Sequence, residues 1–251
     1  MIPYIEIEPI QVGPAVLAPF GLLVALGCIA GWIVSRREAQ LRGLDPAVID
    51  GTLFWALVPG FFFSRFFELV FYHPEVLSAR PWAVLFFWQS MSSFGGFIGG
   101  TVGVMGYLRA TKRPILPYLD CLAGGFIVGW FFGRLGCTIV HDHPGAFTTF
   151  FLGVKFPDGV RHDLGFYEWL FTIALAVAVF SIDRTRLKPG ALLAGVCMVY
   201  APVRFLMDFL RVSDRVYFGL TAAQYSCILL FFVGLALKVV FTGPERPTPA
   251  G

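Results

Sequence analysis

The stretch PYLDCLAGGFIVGWFFGRLGCTIV, residues 117–140, decides the fold class. It is apolar along almost its whole length, and it exceeds the roughly 20 residues that a helix needs to cross a bilayer. Similar apolar runs occur near residues 15–35, 51–72, 82–108, 166–182, 190–210 and 219–241. The sequence therefore predicts an all-α protein, a polytopic transmembrane bundle of about seven spans, with residues 1–251 in a single domain.

The composition indicates that lipid is the solvent of this chain. Of its 251 residues, 57% are hydrophobic and 14% are charged, and the mean hydropathy is +0.75. A soluble domain carries about 25% charged residues. The net charge of +3 is too small to indicate a nucleic-acid partner. The five cysteines lie in apolar stretches without a CxxC pair, and we interpret them mainly as buried apolar residues.

Lysine and arginine are distributed unevenly between the predicted loops. The loops after the first, third and fifth spans and the C-terminal end hold eleven of these residues, and the opposite side holds five. Because basic residues favour the cytoplasmic side, the bias predicts an external N-terminus, a cytoplasmic C-terminus and an external loop at residues 141–165. The first residues, MIPYIEIE, lack the basic region of a cleavable signal peptide.

The segment QSMSSFGGFIGG, residues 89–100, is too polar and too rich in glycine for an ordinary lipid-facing helix. Irregular backbone at membrane depth survives where it is buried in protein or lines a cavity. Small residues also let two helices approach closely. The sequence leaves both interpretations open.

Three arginines, Arg65, Arg134 and Arg204, lie in apolar context. An arginine near the middle of a membrane costs at least about 2.5–3.5 kcal/mol on insertion scales. Glu68 and Asp208 follow Arg65 and Arg204 at helical spacing, so intrahelical ion pairs are one explanation. Arg134 has no such partner in its own helix. Because a guanidinium binds a phosphate group in a bidentate manner, the three together favour a phospholipid headgroup site.

Proton-transfer groups follow Arg134 within about two helical turns. His141, Asp142 and His143 begin the predicted external loop, and polar residues at its end lie on the same side of the membrane: His162, Asp163, Tyr167 and Glu168. A pocket at the external membrane edge could join these groups. His141 and His143, with Asp142 and the pair His162–Asp163, could instead bind a metal, or they could be solvated loop residues without a role.

Several motifs resemble those of one family, the prolipoprotein diacylglyceryl transferases, in order and over essentially the whole chain. The family signature GRxGNFxNxExxG falls on GRLGCTIVHDHPG, residues 133–145. Further matches are RGLDP at 42–46, SR at 64–65, GGFIGG at 95–100, YE at 167–168, RFLMDFLR at 204–211 and Gln224.

The resemblance implies an enzyme of the bacterial plasma (inner) membrane that moves a diacylglyceryl group from phosphatidylglycerol to the lipobox cysteine thiol of a prelipoprotein. Glycerol phosphate leaves. The phospholipid-binding residues implied are Arg134, Arg204, Arg65, Asp208, Gly95, Gly96, Tyr167 and Glu168. We expect a monomer without a cofactor or metal ligands, surrounded by membrane lipids.

This chain departs from the family where the chemistry is expected. The family has a histidine before its Gly-Gly pair, where this chain has Phe94, and a tyrosine in its first span, where this chain has Phe20. The signature asparagine is Cys137, and two glutamates are Asp142 and Asp208.

These departures lead to a hypothesis about the catalytic base. We hypothesise that His141 and His143 act as catalytic groups in place of the family histidine. Asp142 would orient one imidazole, as carboxylates do in other enzymes. Two other interpretations stay open. The chain is a lipid-processing transferase or hydrolase with a different acceptor, or it is a lipid-binding or transport protein without catalysis.

Overall fold

The computed structural model describes residues 1–5, 7, 9–12, 15–86, 89–212 and 216–242. Within them the α-helices are α1 Pro19–Leu41, α2 Pro46–Tyr72, α3 Pro74–Ala79, α4 Ser93–Ala110, α5 Ile115–Val140, α6 Leu164–Phe180, α7 Ala191–Met207 and α8 Ala222–Thr242. The strands are β1 Ile2–Pro3, β2 Ile10–Val12, β3 Ala15–Leu17, β4 Pro144–Phe147, β5 Val154–Phe156, β6 Gly159–Asp163, β7 Val216–Tyr217 and β8 Leu220–Thr221.

Every predicted span contains a helix, and the all-α membrane class is confirmed. Among the described residues, five helices are long and apolar enough to cross a bilayer: α1, α2, α5, α8 and the stretch Ala191–Leu210, which joins α7 to a 3₁₀ turn. The apolar helix α6 is shorter. The full count of seven spans stays a prediction.

The predicted start of the third span, at residue 82, was wrong. Pro81–Leu85 forms a 3₁₀ helix, and α4 begins only at Ser93. The reason is local, because the mainly polar residues 89–92 before Ser93 form a bend and irregular chain instead of helix. An apolar composition therefore did not mark where helical backbone begins.

The chain separates into two compact units, of which one comprises residues 36–118. Inside it, α2 and α4 run antiparallel with their backbones in close approach. A Cβ atom at Gly95 would lie 2.2 Å from the Phe63 carbonyl oxygen, and one at Gly103 would lie 1.8 Å from that of Trp55. Of the two interpretations of the glycine-rich segment, the structure supports the packing surface.

The other unit comprises residues 1–35 and 119–251. Its helices α1 and α5 are antiparallel and meet through small residues, since a Cβ atom at Gly31 would lie 2.8 Å from the Gly125 carbonyl oxygen. Asp120 of α5 is fully buried and caps α7, because its carboxylate accepts hydrogen bonds from the backbone N–H groups of Gly190 and Leu193 at 2.8 and 2.9 Å.

The predicted external loop 141–165 contains strands rather than irregular chain only. A four-stranded sheet has the order β1-β5-β6-β4, in which β1 runs parallel to β5 and the remaining pairs are antiparallel. The β1–β5 pairing places the N-terminal residues beside this segment. Arg215 and Arg246, which contribute to the predicted orientation, lie outside the described residues.

Candidate active site

A buried carboxylate joins two of the predicted arginines. Glu168, in the first turns of α6, lies 2.8 Å from Arg134 NH1 of α5 through Oε2 and 3.1 Å from Arg204 Nε of α7 through Oε1. The Glu168 side chain is 2% exposed and both arginine side chains are 11% exposed. One negative charge between two guanidinium groups reduces the repulsion that would otherwise separate them.

A second carboxylate extends this charged cluster at the end of α7. Asp208 Oδ1 lies 2.8 Å from Arg204 NH1, so the intrahelical pair expected from the sequence is present. The Thr221 hydroxyl donates a hydrogen bond to Asp208 Oδ2, and the Gln224 side chain accepts one from the Thr221 backbone N–H at 2.9 Å. Thr221 of β8, which is itself held by Gln224 of α8, therefore fixes the position of Asp208.

Arg134 keeps hydrogen-bonding capacity after it has paired with Glu168. Its guanidinium lies 4.3 Å from the centre of the Trp130 ring, and its buried Nε has no hydrogen-bond partner among the described residues. A guanidinium carries five N–H donors. Arg134 can therefore pair with Glu168 and still donate to an oxygen of a bound anion.

The turn after α5 orients His141 away from Asp142. His141 has a left-handed backbone with φ of 50°, and its Nδ1 lies 2.5 Å from Oδ2 of the buried Asp163. The ring stacks on Tyr4 at a centroid distance of 4.4 Å. Burial raises the pKa of Asp163, against the opposing effect of hydrogen bonds from Phe166 and His141. His141 thus links the N-terminal strand, the end of α5 and the start of α6.

Asp142 instead pairs with His143. The distance from Asp142 Oδ1 to His143 Nδ1 is 3.2 Å, and these side chains are 39% and 26% exposed. The buried thiol of Cys137 belongs to the same cluster, since ligand atoms of all three residues lie within 4.8 Å of one another. Arg134 NH1 lies 3.9 Å from Cys137 Sγ. The arginine–carboxylate cluster and the loop therefore meet at Cys137.

Tyr167 contacts a different part of the loop. Its hydroxyl lies 2.9 Å from Nδ1 of His162, so this expected phospholipid-binding residue contacts β6 of the four-stranded sheet. Burial lowers the pKa of His162.

Three further predicted phospholipid-binding residues, Arg65, Gly95 and Gly96, lie in the unit of residues 36–118. Arg65 is 2% exposed and donates to the carbonyl oxygens of Ala83 and Ser90 at 3.1 and 2.9 Å, and to the Gln89 side chain. Arg65 therefore fixes the chain between α3 and α4. These hydrogen bonds compensate its charge among the described residues, in place of the suggested pairing with Glu68.

The family positions that differ in this chain are only partly described. The ring of Phe20 lies against Gly136, where a Cβ atom would be 2.9 Å from Phe20 Cδ2. The side chain of Phe94 lies outside the described residues.

Two partnerships were not predictable from sequence spacing. Their adjacency in sequence suggests Asp163 and His162 as a proton-transfer or metal-binding pair, whereas Asp163 contacts His141 in the structure. Cys137 was interpreted as one departure among several, yet it lies beside Asp142 and His143. The one signal in the sequence was the joint occurrence of a cysteine, an aspartate and a histidine within seven residues.

The fold and the site describe a multi-pass helical membrane protein with a cluster of charged residues buried among its apolar helices. The model of the family described as prolipoprotein diacylglyceryl transferase matches residues 8–240. The chain belongs to this family, whose members are transferases.

Similar proteins support the same assignment. A phosphatidylglycerol–prolipoprotein diacylglyceryl transferase of Nitratidesulfovibrio vulgaris is 32% identical, and the match covers 94% of this chain and 95% of the relative. Relatives with the same name from Chromohalobacter salexigens and Rhizobium meliloti are each 27% identical. These matches cover 95% and 85% of this chain, and 94% and 83% of the relatives.

Proposed function

We propose that this protein transfers the diacylglyceryl group of phosphatidylglycerol to the lipobox cysteine thiol of prelipoproteins. The observation that carries the proposal is the buried pairing of Arg134 and Arg204 through Glu168. Two fixed guanidinium groups at one carboxylate provide donors for the phosphate on which charge develops as it leaves. The family assignment supports the same chemistry.

The transfer is a substitution at the carbon of the diacylglyceryl group that is bonded to the phosphate oxygen. The sulfur of the acceptor cysteine forms a bond to this carbon, and the bond from the carbon to the phosphate oxygen breaks. The electron pair of that bond leaves with glycerol phosphate, next to Arg134 and Arg204. The thiol proton must be removed, because the thiolate is the nucleophile. We assign this step to the turn that carries Asp142 and His143, while His141 supports the turn through Asp163.

Vesicles of phosphatidylglycerol test the reaction directly. The purified protein is reconstituted with a synthetic lipobox peptide or with its cysteine-to-serine analogue. We expect a peptide heavier by one diacylglyceryl group and one glycerol phosphate released per modified peptide, with neither product from the analogue. Glycerol phosphate release without the thiol peptide would show a hydrolase instead, and no release would favour a lipid-binding protein.

An arginine variant with a matched control tests the phosphate contacts. Arg204→Lys keeps the charge but loses the forked geometry that reaches Glu168 and Asp208, so transfer should fall on the order of 10²-fold. Arg186→Lys changes an arginine that is 86% exposed and paired only across its own turn with Asp183, and transfer should stay unchanged. Equal transfer in both variants would contradict the assignment.

We further propose seven spans, an external N-terminus and a cytoplasmic C-terminus for a monomer in the bacterial plasma membrane. The distribution of basic residues and the β1–β5 pairing support this orientation. Lys155 lies on β5 and Lys188 precedes α7, and both are exposed. In intact cells, an impermeant maleimide should label Lys155→Cys but not Lys188→Cys, and the opposite pattern would invert the orientation.

A further inference from the structure

The cluster of Cys137, Asp142 and His143 combines one ligand atom each of sulfur, oxygen and nitrogen. We propose that these side chains bind one zinc-class divalent cation, with an open coordination position for the acceptor thiol. The inference rests on the proposed function for the identity of that thiol. The metal site itself rests on the three side chains.

The backbone brings the ligands together in a fixed way. Helix α5 ends at Val140, and the left-handed turn at His141 reverses the chain so that Asp142 and His143 return towards Cys137. The His143 carbonyl oxygen accepts a hydrogen bond from the Leu164 backbone N–H at 3.1 Å, which anchors the returning strand.

Cys137 is held more firmly than its two partners. It is 7% exposed, and a Cβ atom added at Gly165 of α6 would lie 3.0 Å from Cys137 Cβ. Ligand atoms of a tetrahedral zinc site are roughly 3.3–3.8 Å apart, given bonds of about 2.0–2.3 Å. The present separations of up to 4.8 Å therefore need a contraction of about 1 Å. The partly exposed side chains of Asp142 and His143 can supply it by rotation.

The donor set selects the class of metal. A thiolate and an imidazole favour zinc and similar soft or borderline cations, whereas calcium and magnesium favour oxygen ligands only. Three protein ligands leave the fourth position of a tetrahedral site open, which is the pattern of catalytic rather than structural zinc.

The charges around the cluster are compatible with a divalent cation. The Cys137 thiolate and the Asp142 carboxylate together carry two negative charges and neutralise it. Arg134 lies near the sulfur, but its own charge is balanced by Glu168 at 2.8 Å. Donation from Arg134 NH1 to Sγ would favour the thiolate form of this ligand.

A metal at this position would deprotonate the acceptor thiol, which the proposed reaction requires. A thiol that coordinates zinc is deprotonated outright, so the acceptor cysteine becomes a nucleophile without a separate base. Its proton is released to water when the sulfur binds. The bound sulfur then attacks the glyceryl carbon, and the phosphate oxygen leaves with the electron pair. The cation would therefore activate the thiol in a chain that has phenylalanine where the family has a histidine.

Metal binding is tested first without turnover. The purified protein in phosphatidylglycerol nanodiscs is stripped with a chelator, loaded with Zn²⁺ or Co²⁺, and analysed for bound metal. We expect one ion per chain and a thiolate-to-cobalt absorption band. Cys137→Ser, Asp142→Asn and His143→Gln should each weaken binding on the order of 10²-fold. Cys28→Ser and His162→Gln remove residues of the same type outside the cluster and should not weaken it.

The open position is tested with the lipobox peptide and its serine analogue. In nanodiscs made without phosphatidylglycerol, the thiol peptide should shift the cobalt spectrum of the Co²⁺-loaded protein, and the analogue should not. Absence of a stoichiometric ion, or the same affinity in the three cluster variants and the two controls, would overturn the metal site. Melting temperatures of all variants identify any that fail to fold, and Asp142→Asn, the most exposed ligand, serves where Cys137→Ser does not fold.

The transfer assay separates this inference from the proposed function. Transfer lost on chelation and restored by Zn²⁺ supports both. Full transfer by chelated protein would overturn the role of the metal and leave the transferase intact. A bound ion and a thiol-dependent spectral shift without any transfer would support the site and contradict the proposed reaction.

Discussion

Nδ1 of His141 lies 2.5 Å from Oδ2 of Asp163, and the Asp163 carboxylate is fully buried. Asp163 also caps α6 by accepting a hydrogen bond from the Phe166 backbone N–H at 3.0 Å. One aspartate thus fixes both the turn after α5 and the start of α6. His141 and His143 consequently have different environments, although only one residue separates them.

His141 and His143 should therefore respond differently to substitution. His141→Gln removes the contact to Asp163 and the stack on Tyr4, so it should lower the melting temperature while the folded fraction retains most transfer. His143→Gln should lower transfer on the order of 10²-fold with little change in melting temperature, because its side chain is partly exposed. Loss of transfer in His141→Gln at an unchanged melting temperature would return the catalytic role to His141.

Removal of the central carboxylate should destabilise the protein. Glu168→Gln leaves Arg134 and Arg204 buried without their shared counter-charge, and breaking a buried ion pair in this way costs about 3–5 kcal/mol. Glu75→Gln is the matched control, because Glu75 is 70% exposed. Thermal unfolding in detergent should show a clearly lower melting temperature for Glu168→Gln only. A melting temperature equal to that of the control would mean that Glu168 does not hold the arginines together.

The close approach of α2 and α4 can be tested at two glycines of the same helix. Gly103→Ala should destabilise the protein, because its Cβ would lie 1.8 Å from the Trp55 carbonyl oxygen and the helices must separate. A methyl group added at Gly106 would have no neighbouring atom within 4 Å. Gly106→Ala should be neutral or stabilising by up to about 1 kcal/mol, from helix propensity. Melting temperatures that fall equally in both variants would contradict the packing.

The four-stranded sheet β1-β5-β6-β4 should lose stability in mild acid because of His162 on β6. Burial lowers the pKa of His162 in the folded state below its ordinary value of 6.5. The unfolded chain then binds a proton at His162 more readily than the folded protein does. The contribution of neutral His162 to the free energy of unfolding is therefore complete above pH 6.5, and it is lost as the pH falls towards the pKa of the folded state.

His162→Gln should reduce the dependence of the melting temperature on pH in this interval. The comparison with wild type isolates His162 from the His141–Asp163 pair, which both proteins retain. Identical pH profiles would show that His162 is not linked to folding.

The sequence alone determined the membrane class and the approximate place of each long helix. Runs of about 20 apolar residues are a local property, because each such helix satisfies its own backbone hydrogen bonds. The sequence also pointed to Arg134, Arg204 and Asp208, since charges in apolar context need compensation. It misplaced the start of α4, because polar residues before Ser93 interrupt an otherwise apolar stretch.

The partners of Glu168 and of His141 were decided only by the tertiary structure. Glu168 is 34 residues from Arg134 and 36 from Arg204, and no helical periodicity relates residues that far apart. His141 has Asp142 next to it in sequence but contacts Asp163, because a left-handed turn points the ring towards α6. That same turn brings Asp142 and His143 back to Cys137. Packing of α5 against α6 thus decides that His141 meets Asp163 rather than its neighbour Asp142, and local sequence carries no information on that packing.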